Sequence, residues 1–162
     1  MEIRSGTAED LVAIAQIYEH YVLHSFATFD EAPPSPEQWR AWFDEFGLTG
    51  PHRLVVADDG EVQGYASSLP YRAHPAFSET VEFSVYVSAG RTSEGLGRRL
   101  YGRLIEELQG QAVHRAVVGI ALPNDASVQL HRSFGFDEIG VFDQYAKKRD
   151  RYLSSIWMQR AF

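Results

Sequence analysis

The segment from Thr80 to Leu108 constrains the fold more than any other part of the chain. Polar and apolar residues alternate from Thr80 to Ser88, which is the period of a half-buried β-strand. A polar loop with Gly95 and Gly97 follows, and leucines then recur at helical spacing up to Leu108. The first backbone amides of such a helix have no partner within it, so this strand, loop and helix predict an anion-binding site.

Two familiar phosphate-binding patterns do not match this loop. A P-loop needs Lys and then Ser or Thr after its last glycine, but this chain has Arg98 and Arg99 there. A dinucleotide fingerprint needs a small residue at the position of Leu100 and an acidic residue about twenty positions later, where the chain reads Val117-Val118-Gly119. The segment therefore predicts another kind of anion-binding loop, beside a strand that carries one carboxylate, Glu82.

The rest of the chain alternates between helical and strand patterns. We predict one α/β (α+β) domain over residues 1–162, with a mixed, mostly antiparallel sheet flanked by helices. Asp59-Gly60 predicts a type I′ hairpin turn. Trp39, Trp42 and Phe46 are expected to be core or dimer contacts rather than a ligand cage. The expected helices start near 8, 36, 96 and 124, and the expected strands cover about 53–57, 62–69, 80–88, 116–122, 136–141 and 152–160.

The composition excludes several classes of protein. The chain has no cysteine, which rules out disulfide scaffolds, thiolate metal sites and cysteine nucleophiles. The formal net charge of -7 argues against nucleic-acid binding, although residues 1–90 carry -10 and residues 91–162 carry +3. No apolar run approaches membrane-spanning length and no signal-peptide pattern is present, so we expect a cytoplasmic protein without a membrane partner.

Several short motifs stand out along the chain. They are Glu82-Phe83-Ser84-Val85-Tyr86-Val87-Ser88, Gly95-Leu96-Gly97, Leu100-Tyr101, Leu122-Pro123-Asn124-Asp125, Ser127-Val128, Leu130-His131 and Phe134-Gly135-Phe136. In this order and spacing they resemble the GNAT superfamily of N-acetyltransferases, and more narrowly its phosphinothricin and methionine sulfone or sulfoximine acetyltransferase branch. The resemblance covers nearly the whole chain and implies the GNAT fold, a sheet splayed around acetyl-CoA as co-substrate, and no metal.

The resemblance also implies roles for individual residues. Glu82 would be the general base that removes the proton of the attacking amine, directly or through water. His131 is a candidate acid for the departing thiolate, and a helix histidine that only packs is the alternative. The residues implied in acetyl-CoA binding are Val85, Tyr86, Val87, Ser93, Glu94, Gly95, Leu96, Gly97, Arg98, Arg99, Asn124 and Ser127.

The chain departs from the family pattern at several positions. Thr92 stands where Arg or Gln is usual, and Glu94 places a carboxylate beside the expected pyrophosphate, for which Arg91 could compensate. Phe29, Arg72 and His74 are the implied substrate contacts, with His74 in place of a second arginine that could grip a carboxylate.

The sequence leaves the acceptor open. We predict direct acetyl transfer to the primary amine of a small amino-acid-like molecule by a homodimer. The alternatives are a different acceptor, namely a polyamine, an antibiotic amine or a protein N-terminus, and a non-catalytic acyl-CoA sensor. His20 and His24 are four residues apart, but Tyr21 stands where a zinc motif needs Glu, so no metal site is expected.

Overall fold

A seven-stranded mixed sheet forms the centre of the molecule. The computed structural model describes residues 1–162. The strands are β1 (Glu2–Ser5), β2 (Arg53–Asp58), β3 (Val62–Pro70), β4 (Thr80–Val87), β5 (Arg115–Ala121), β6 (Asp137–Lys148) and β7 (Arg151–Ala161), in the sheet order β1-β2-β3-β4-β5-β7-β6. The helices are α1 (Leu11–His24), α2 (Pro36–Phe43), α3 (Leu96–Leu108) and α4 (Asp125–Ser133).

The sheet opens between its two parallel strands. β4 and β5 pair only from Thr80 opposite Arg115 to Glu82 opposite Val117, and every other strand pair is antiparallel. Beyond Glu82 no residue of β4 pairs with a residue of β5. This confirms the predicted mixed, mostly antiparallel sheet that is splayed in its middle.

Each face of the sheet buries its own hydrophobic cluster. One cluster of 17 buried residues lies between the sheet and α3, where Leu100 and Leu104 pack with Phe83. A smaller cluster of six buried residues lies on the opposite face, where α1 and α2 bring Ile14 and Trp39 against β2 and β3. Alternation along β4 sends Phe83 to the first face and sends Glu82, Ser84 and Tyr86 to the second.

The turns differ from the sequence prediction. Asp59-Gly60 does not form a type I′ turn, because that turn needs positive φ at both central residues and only Gly60 has it, at 105°. Asp58 instead accepts a hydrogen bond from the Gly60 amide at 2.8 Å and closes a wider loop. Two consecutive positive φ angles occur at Arg149 and Asp150, in the tight connection between β6 and β7.

One strand of the sheet was not predicted, and another is longer than predicted. β1 was not predicted, because four residues are too few to show a period, and β6 continues to Lys148 instead of ending near residue 141. The added half of β6 is largely exposed, so it lacks the apolar alternation that marks a strand. None of the helices is long and apolar enough to cross a membrane.

Candidate active site

A cleft of about 560 Å³ lies where β4 and β5 part. Its walls are the second half of each strand, the start of α3 and the first turns of α4. Residues 83–87 of β4 have no strand partner on the β5 side, so backbone N–H and C=O groups on that edge can bond an extended ligand as a strand would. The predicted residues that line the cleft are Val85, Tyr86, Val87, Gly95, Gly97, Arg98, Asn124, Ser127 and His131.

The start of α3 suits an anionic group. Gly95 precedes the helix with φ at 74°, a left-handed conformation that glycine adopts without strain. A Cβ on Gly97 would lie 3.2 Å from the Leu130 side chain, so glycine keeps α3 close to α4. Arg98 lines the cleft and is the only basic side chain apart from His131 on its walls. The amides of the first helical turn and the Arg98 charge together favour a phosphate.

Four residues predicted to bind the cofactor face elsewhere. Leu96 is buried beneath the loop, and Arg99 donates to the Met1 carbonyl oxygen at 2.8 Å. Ser93 and Glu94 are exposed and do not line the cleft.

Glu94 is neutralised within its own loop. Its carboxylate lies 2.9 Å from Nε of Arg91, and Arg91 also donates to Asp59 at 2.8 Å. Arg91 is shared between two carboxylates, so it has no free positive charge to offer a pyrophosphate. It therefore does not compensate for Thr92, which stands where the family usually has Arg or Gln. Thr92 itself lines the cleft.

Glu82 occupies the last paired position of β4 before the cleft opens. It is half-buried and forms no hydrogen bond or ion pair, and burial raises the pKa of its carboxyl. It shares a sheet face with Ser84 and Tyr86, both of which line the cleft. An unpaired carboxylate with a raised pKa at the point where the strands part is suited to accept a proton.

Both ring nitrogens of His131 are already occupied. Nδ1 lies 2.7 Å from the Ser127 carbonyl oxygen, which can only accept, so Nδ1 carries the hydrogen. Nε2 lies 2.8 Å from the Tyr101 hydroxyl and therefore accepts from it in the neutral ring. Burial lowers the pKa of His131, and its side chain is 1% exposed. The geometry is that of a neutral histidine that positions the Tyr101 hydroxyl at the wall of the cleft.

Asn124 both caps α4 and lines the cleft. Its side-chain oxygen accepts from the Ser127 amide at 3.2 Å, which caps α4. Both residues also line the cleft. The cap therefore fixes the end of α4 that faces the ligand.

The three predicted substrate contacts are not brought into one cavity. Phe29 packs edge-on against Tyr145 of β6, with ring centroids 5.9 Å apart. Arg72 is exposed and lies over the Tyr71 ring at 5.1 Å. The exposed His74 uses Nδ1 to accept from the Ala76 amide at 3.0 Å, so it caps a short 3₁₀ turn.

Several cleft residues were missed by the sequence reasoning. Tyr21 lines the cleft and donates to the Val87 carbonyl oxygen at 2.5 Å, a contact that helical spacing in α1 does not indicate. Gly119 lines the opposite wall, and a Cβ there would lie 2.8 Å from the Trp157 ring. A glycine in a strand was the available signal for such a close approach.

Comparison with known proteins decides the family. A model of the acetyltransferase (GNAT) domain matches residues 3–157. The chain belongs to the GNAT acetyltransferase family. This confirms the family and the enzyme class that the motifs predicted.

Relatives within the family match almost the full chain. Phosphinothricin N-acetyltransferase of Streptomyces coelicolor is 42% identical, over 99% of this chain and 95% of the relative. L-methionine sulfoximine/L-methionine sulfone acetyltransferase of Salmonella typhimurium is 38% identical, over 98% and 93%. A phosphinothricin acetyltransferase from Sinorhizobium meliloti, solved with acetyl-CoA, has a TM-score of 0.92 at 31% identity, over 99% of this chain and 88% of that one.

The cleft of this GNAT chain fits acetyl-CoA. An open strand edge for an amide-bearing arm, a helix start for phosphates and a carboxylate at the split lie along one cleft. No three side chains of the types that bind metal come together anywhere in the chain. The residues present therefore suit acetyl-CoA as co-substrate.

Proposed function

We propose that this chain transfers the acetyl group of acetyl-CoA directly to the primary amine of a small amino-acid-like molecule, of the phosphinothricin or methionine sulfone/sulfoximine type. The unpaired, half-buried Glu82 at the point where β4 and β5 separate carries the proposal. The names of the relatives from S. coelicolor and S. typhimurium support the acceptor class.

Glu82 is proposed as the general base. An alkylamine has a pKa of about 10.4 and arrives protonated, so it must lose a proton before it can attack the thioester carbonyl. A carboxylate whose pKa is raised by burial holds that proton better than an exposed one would. Backbone N–H groups on the open edge of β4 are available to stabilise the charge that develops on the carbonyl oxygen.

The role that we propose for His131 is more limited than that of the acid for which the sequence made it a candidate. As a neutral ring it has no hydrogen to give from Nε2, and its only ring hydrogen is bonded to the Ser127 carbonyl. We propose that His131 holds the Tyr101 hydroxyl in place and that the second proton of the amine goes to the thiolate. Because the chain has no cysteine, the acetyl group cannot pass through an enzyme thiol, which makes direct transfer the simpler mechanism.

A screen of primary amines with acetyl-CoA tests the function, with release of free CoA thiol as the readout. The protein contributes no thiol of its own, so the assay has no background from the chain. We expect turnover with amino-acid-like amines such as methionine sulfone. Tight CoA binding with no turnover of any amine would instead favour the acyl-CoA sensor.

Arg72 is proposed to bind the acceptor carboxylate. Leu69 lies directly opposite Glu82 in the β3–β4 pair, and Arg72 follows three residues later with its guanidinium free of any carboxylate. We expect Arg72→Ala to raise KM for methionine sulfone about 10-fold more than KM for propylamine, since a charge-assisted contact is lost only for the amino acid. Arg40→Ala, at an exposed site on α2, is the control; equal effects on both acceptors would contradict the assignment.

A homodimer is proposed to form at the β6 edge of the sheet. β6 is an edge strand with a free hydrogen-bonding side, and it exposes Ile139, Val141 and Phe142. We expect Val141→Lys to shift the protein from dimer to monomer in light scattering after size exclusion, because the apolar edge would gain a charge. Val12→Lys, at a valine on α1 that is more exposed than Val141, should leave the dimer intact, and a monomeric wild type would refute the proposal.

A cytoplasmic location and the absence of nucleic-acid and membrane partners remain proposals. The net charge of -7 supports the second of these, because the phosphate backbone of nucleic acids is bound by proteins with basic surfaces.

A further inference from the structure

A second cavity, of about 380 Å³, opens on the face of the sheet that carries α1 and α2. Five aromatic rings surround it as a closed circuit, in which each ring contacts the next. The centroid distances are 5.6 Å from Tyr18 to Trp39, 5.1 Å from Trp39 to Trp42, 5.9 Å from Trp42 to Tyr65, 5.6 Å from Tyr65 to Tyr86 and 5.1 Å from Tyr86 back to Tyr18. We call these five residues the aromatic cage.

The aromatic cage was not foreseen from the sequence. Trp39, Trp42 and Phe46 were expected to be core or dimer contacts, and Phe46 does pack on the Trp42 ring at 4.7 Å. Trp39 also belongs to the smaller buried cluster. Trp39 and Trp42 nevertheless line the cavity, so their packing serves its walls.

The polar groups of this cavity are acidic or neutral. Asp30 is its only charged residue, and its Oδ2 accepts from the Tyr18 hydroxyl at 2.7 Å, which fixes the carboxylate at the rim. Tyr65 is 2% exposed and its hydroxyl forms no hydrogen bond within the protein. The hydroxyl oxygen is not sealed in the core, and Tyr65 lines the cavity, so water or a ligand there can satisfy it.

The cavity adjoins the proposed reaction centre. Ser84 and Tyr86 line both this cavity and the acetyl-CoA cleft, and both lie on the sheet face of Glu82. An acceptor whose amine reaches Glu82 can therefore extend its other end past Ser84 into the aromatic cage.

The chemistry of the walls selects a cation. The faces of Trp and Tyr rings attract ammonium groups, and the attraction strengthens when the cation is withdrawn from water. The Asp30 carboxylate adds an opposite charge, and no basic side chain lines the cavity. We propose that the aromatic cage binds a second, cationic nitrogen of the acceptor. Among the small amino-acid-like amines of the proposed function, those with an ammonium group on an alkyl chain are therefore acetylated in preference to those with a neutral or anionic side chain.

This proposal rests on the proposed function for its position next to Glu82, but binding can be measured without turnover. The probe is n-butylammonium, and the readout is intrinsic tryptophan fluorescence, because two of the three tryptophans line the cavity. We expect n-butylammonium to change the fluorescence saturably. 1-Butanol, which has the same chain length and no charge, should bind with at least 10-fold lower affinity. Equal responses to the two compounds would overturn the proposal, whether or not any amine is acetylated.

Two conservative variants locate the binding. Asp30→Asn should weaken n-butylammonium binding about 10-fold, because a charge-assisted contact becomes a neutral one. Tyr65→Phe should also weaken it, by about 3-fold, while leaving the unfolding temperature unchanged, because no hydrogen bond within the protein is lost. Asp44→Asn, an exposed carboxylate at the end of α2, is the control, and a control that weakened binding as much as Asp30→Asn would refute the site.

Turnover then separates this proposal from the function on which it rests. L-lysine and L-norleucine share an α-amine and an alkyl side chain and differ by the terminal ammonium group. We expect kcat/KM for L-lysine to exceed that for L-norleucine about 10-fold, and the ratio to fall towards one in Asp30→Asn. Acetylation of L-norleucine with equal or higher kcat/KM would overturn the cation site and leave the acetyltransferase function standing.

Discussion

Glu82→Gln is expected to lower kcat/KM for amine acetylation by about 100-fold, the lower end of what a positioned general base contributes. Glutamine keeps the shape of the side chain but cannot accept the proton of the amine. The variant should unfold at the same or a higher temperature, because Glu82 has no hydrogen-bond partner to lose and its burial without a partner carries a cost. A loss of activity would therefore not be a loss of structure.

The pH profile identifies the group that Glu82→Gln removes. The active form of a base is the deprotonated one, so activity rises as pH increases through its pKa. Burial raises the pKa of Glu82, which places this rise at a higher pH than for an exposed glutamate. We expect the acid limb in kcat/KM for the wild type and its absence in Glu82→Gln.

A matched substitution lies three residues earlier. Glu79→Gln removes an exposed carboxylate just before β4 and should keep both the rate and the acid limb. If Glu82→Gln retained full activity at every pH while acetyl-CoA still bound, the base would have to be another group.

The parts of the site that sequence could predict are those encoded within one stretch of chain. The alternation through β4, the glycine loop and the stripe of α3 are local, and together with the family resemblance they are enough to place Val85, Val87, Gly95 and Gly97 on a ligand cleft. The parting of β4 from β5 also followed from the resemblance. Glu82 was singled out as the base by the resemblance, because the alternation of β4 alone favours an ordinary solvent-facing glutamate on the face opposite Phe83.

The parts that escaped prediction depend on contacts between distant segments. The aromatic cage takes Tyr18 from α1, Trp39 and Trp42 from α2, Tyr65 from β3 and Tyr86 from β4, and no local period reports that these elements face one space. The turn between β6 and β7 contains no glycine, so its positive φ angles carried no sequence signal. Arg149 is held by residues more than a hundred positions away, because its amide donates to Glu31 at 2.6 Å and its side chain to the Val22 carbonyl oxygen at 2.7 Å.

Lys148, the last residue of β6, lies directly before that turn and is fully buried. Its Nζ donates to the carbonyl oxygens of Ser25 and Thr28, each at 2.9 Å, and lies 5.7 Å from the Phe26 ring centre. The side chain thereby ties the end of α1 to the edge of the sheet. The loop that it holds continues directly to Asp30, which lines the cavity proposed to hold the acceptor.

Lys148→Met is expected to lower the free energy of unfolding by about 3 kcal/mol, because two buried carbonyl oxygens lose their donor and a cation–π contact is lost. Methionine has similar length and fills the space, so the loss reports the ammonium group and not a cavity. The released loop should also raise KM for the amine while KM for acetyl-CoA stays within about 2-fold, since the cofactor cleft depends on β4, β5, α3 and α4.

Lys147→Met makes the same change at the neighbouring residue, whose exposed side chain forms a surface ion pair with Asp150 at 3.4 Å and lies 6.0 Å from the Tyr152 ring centre. Urea denaturation of both variants should show a loss within about 0.5 kcal/mol for Lys147→Met, since exposed pairs contribute little. Similar stability of the two variants would mean that Lys148 is not the tie between α1 and the sheet. Equal increases of both KM values in Lys148→Met would mean that the loop from Ser25 to Asp30 supports the whole site and not the acceptor side alone.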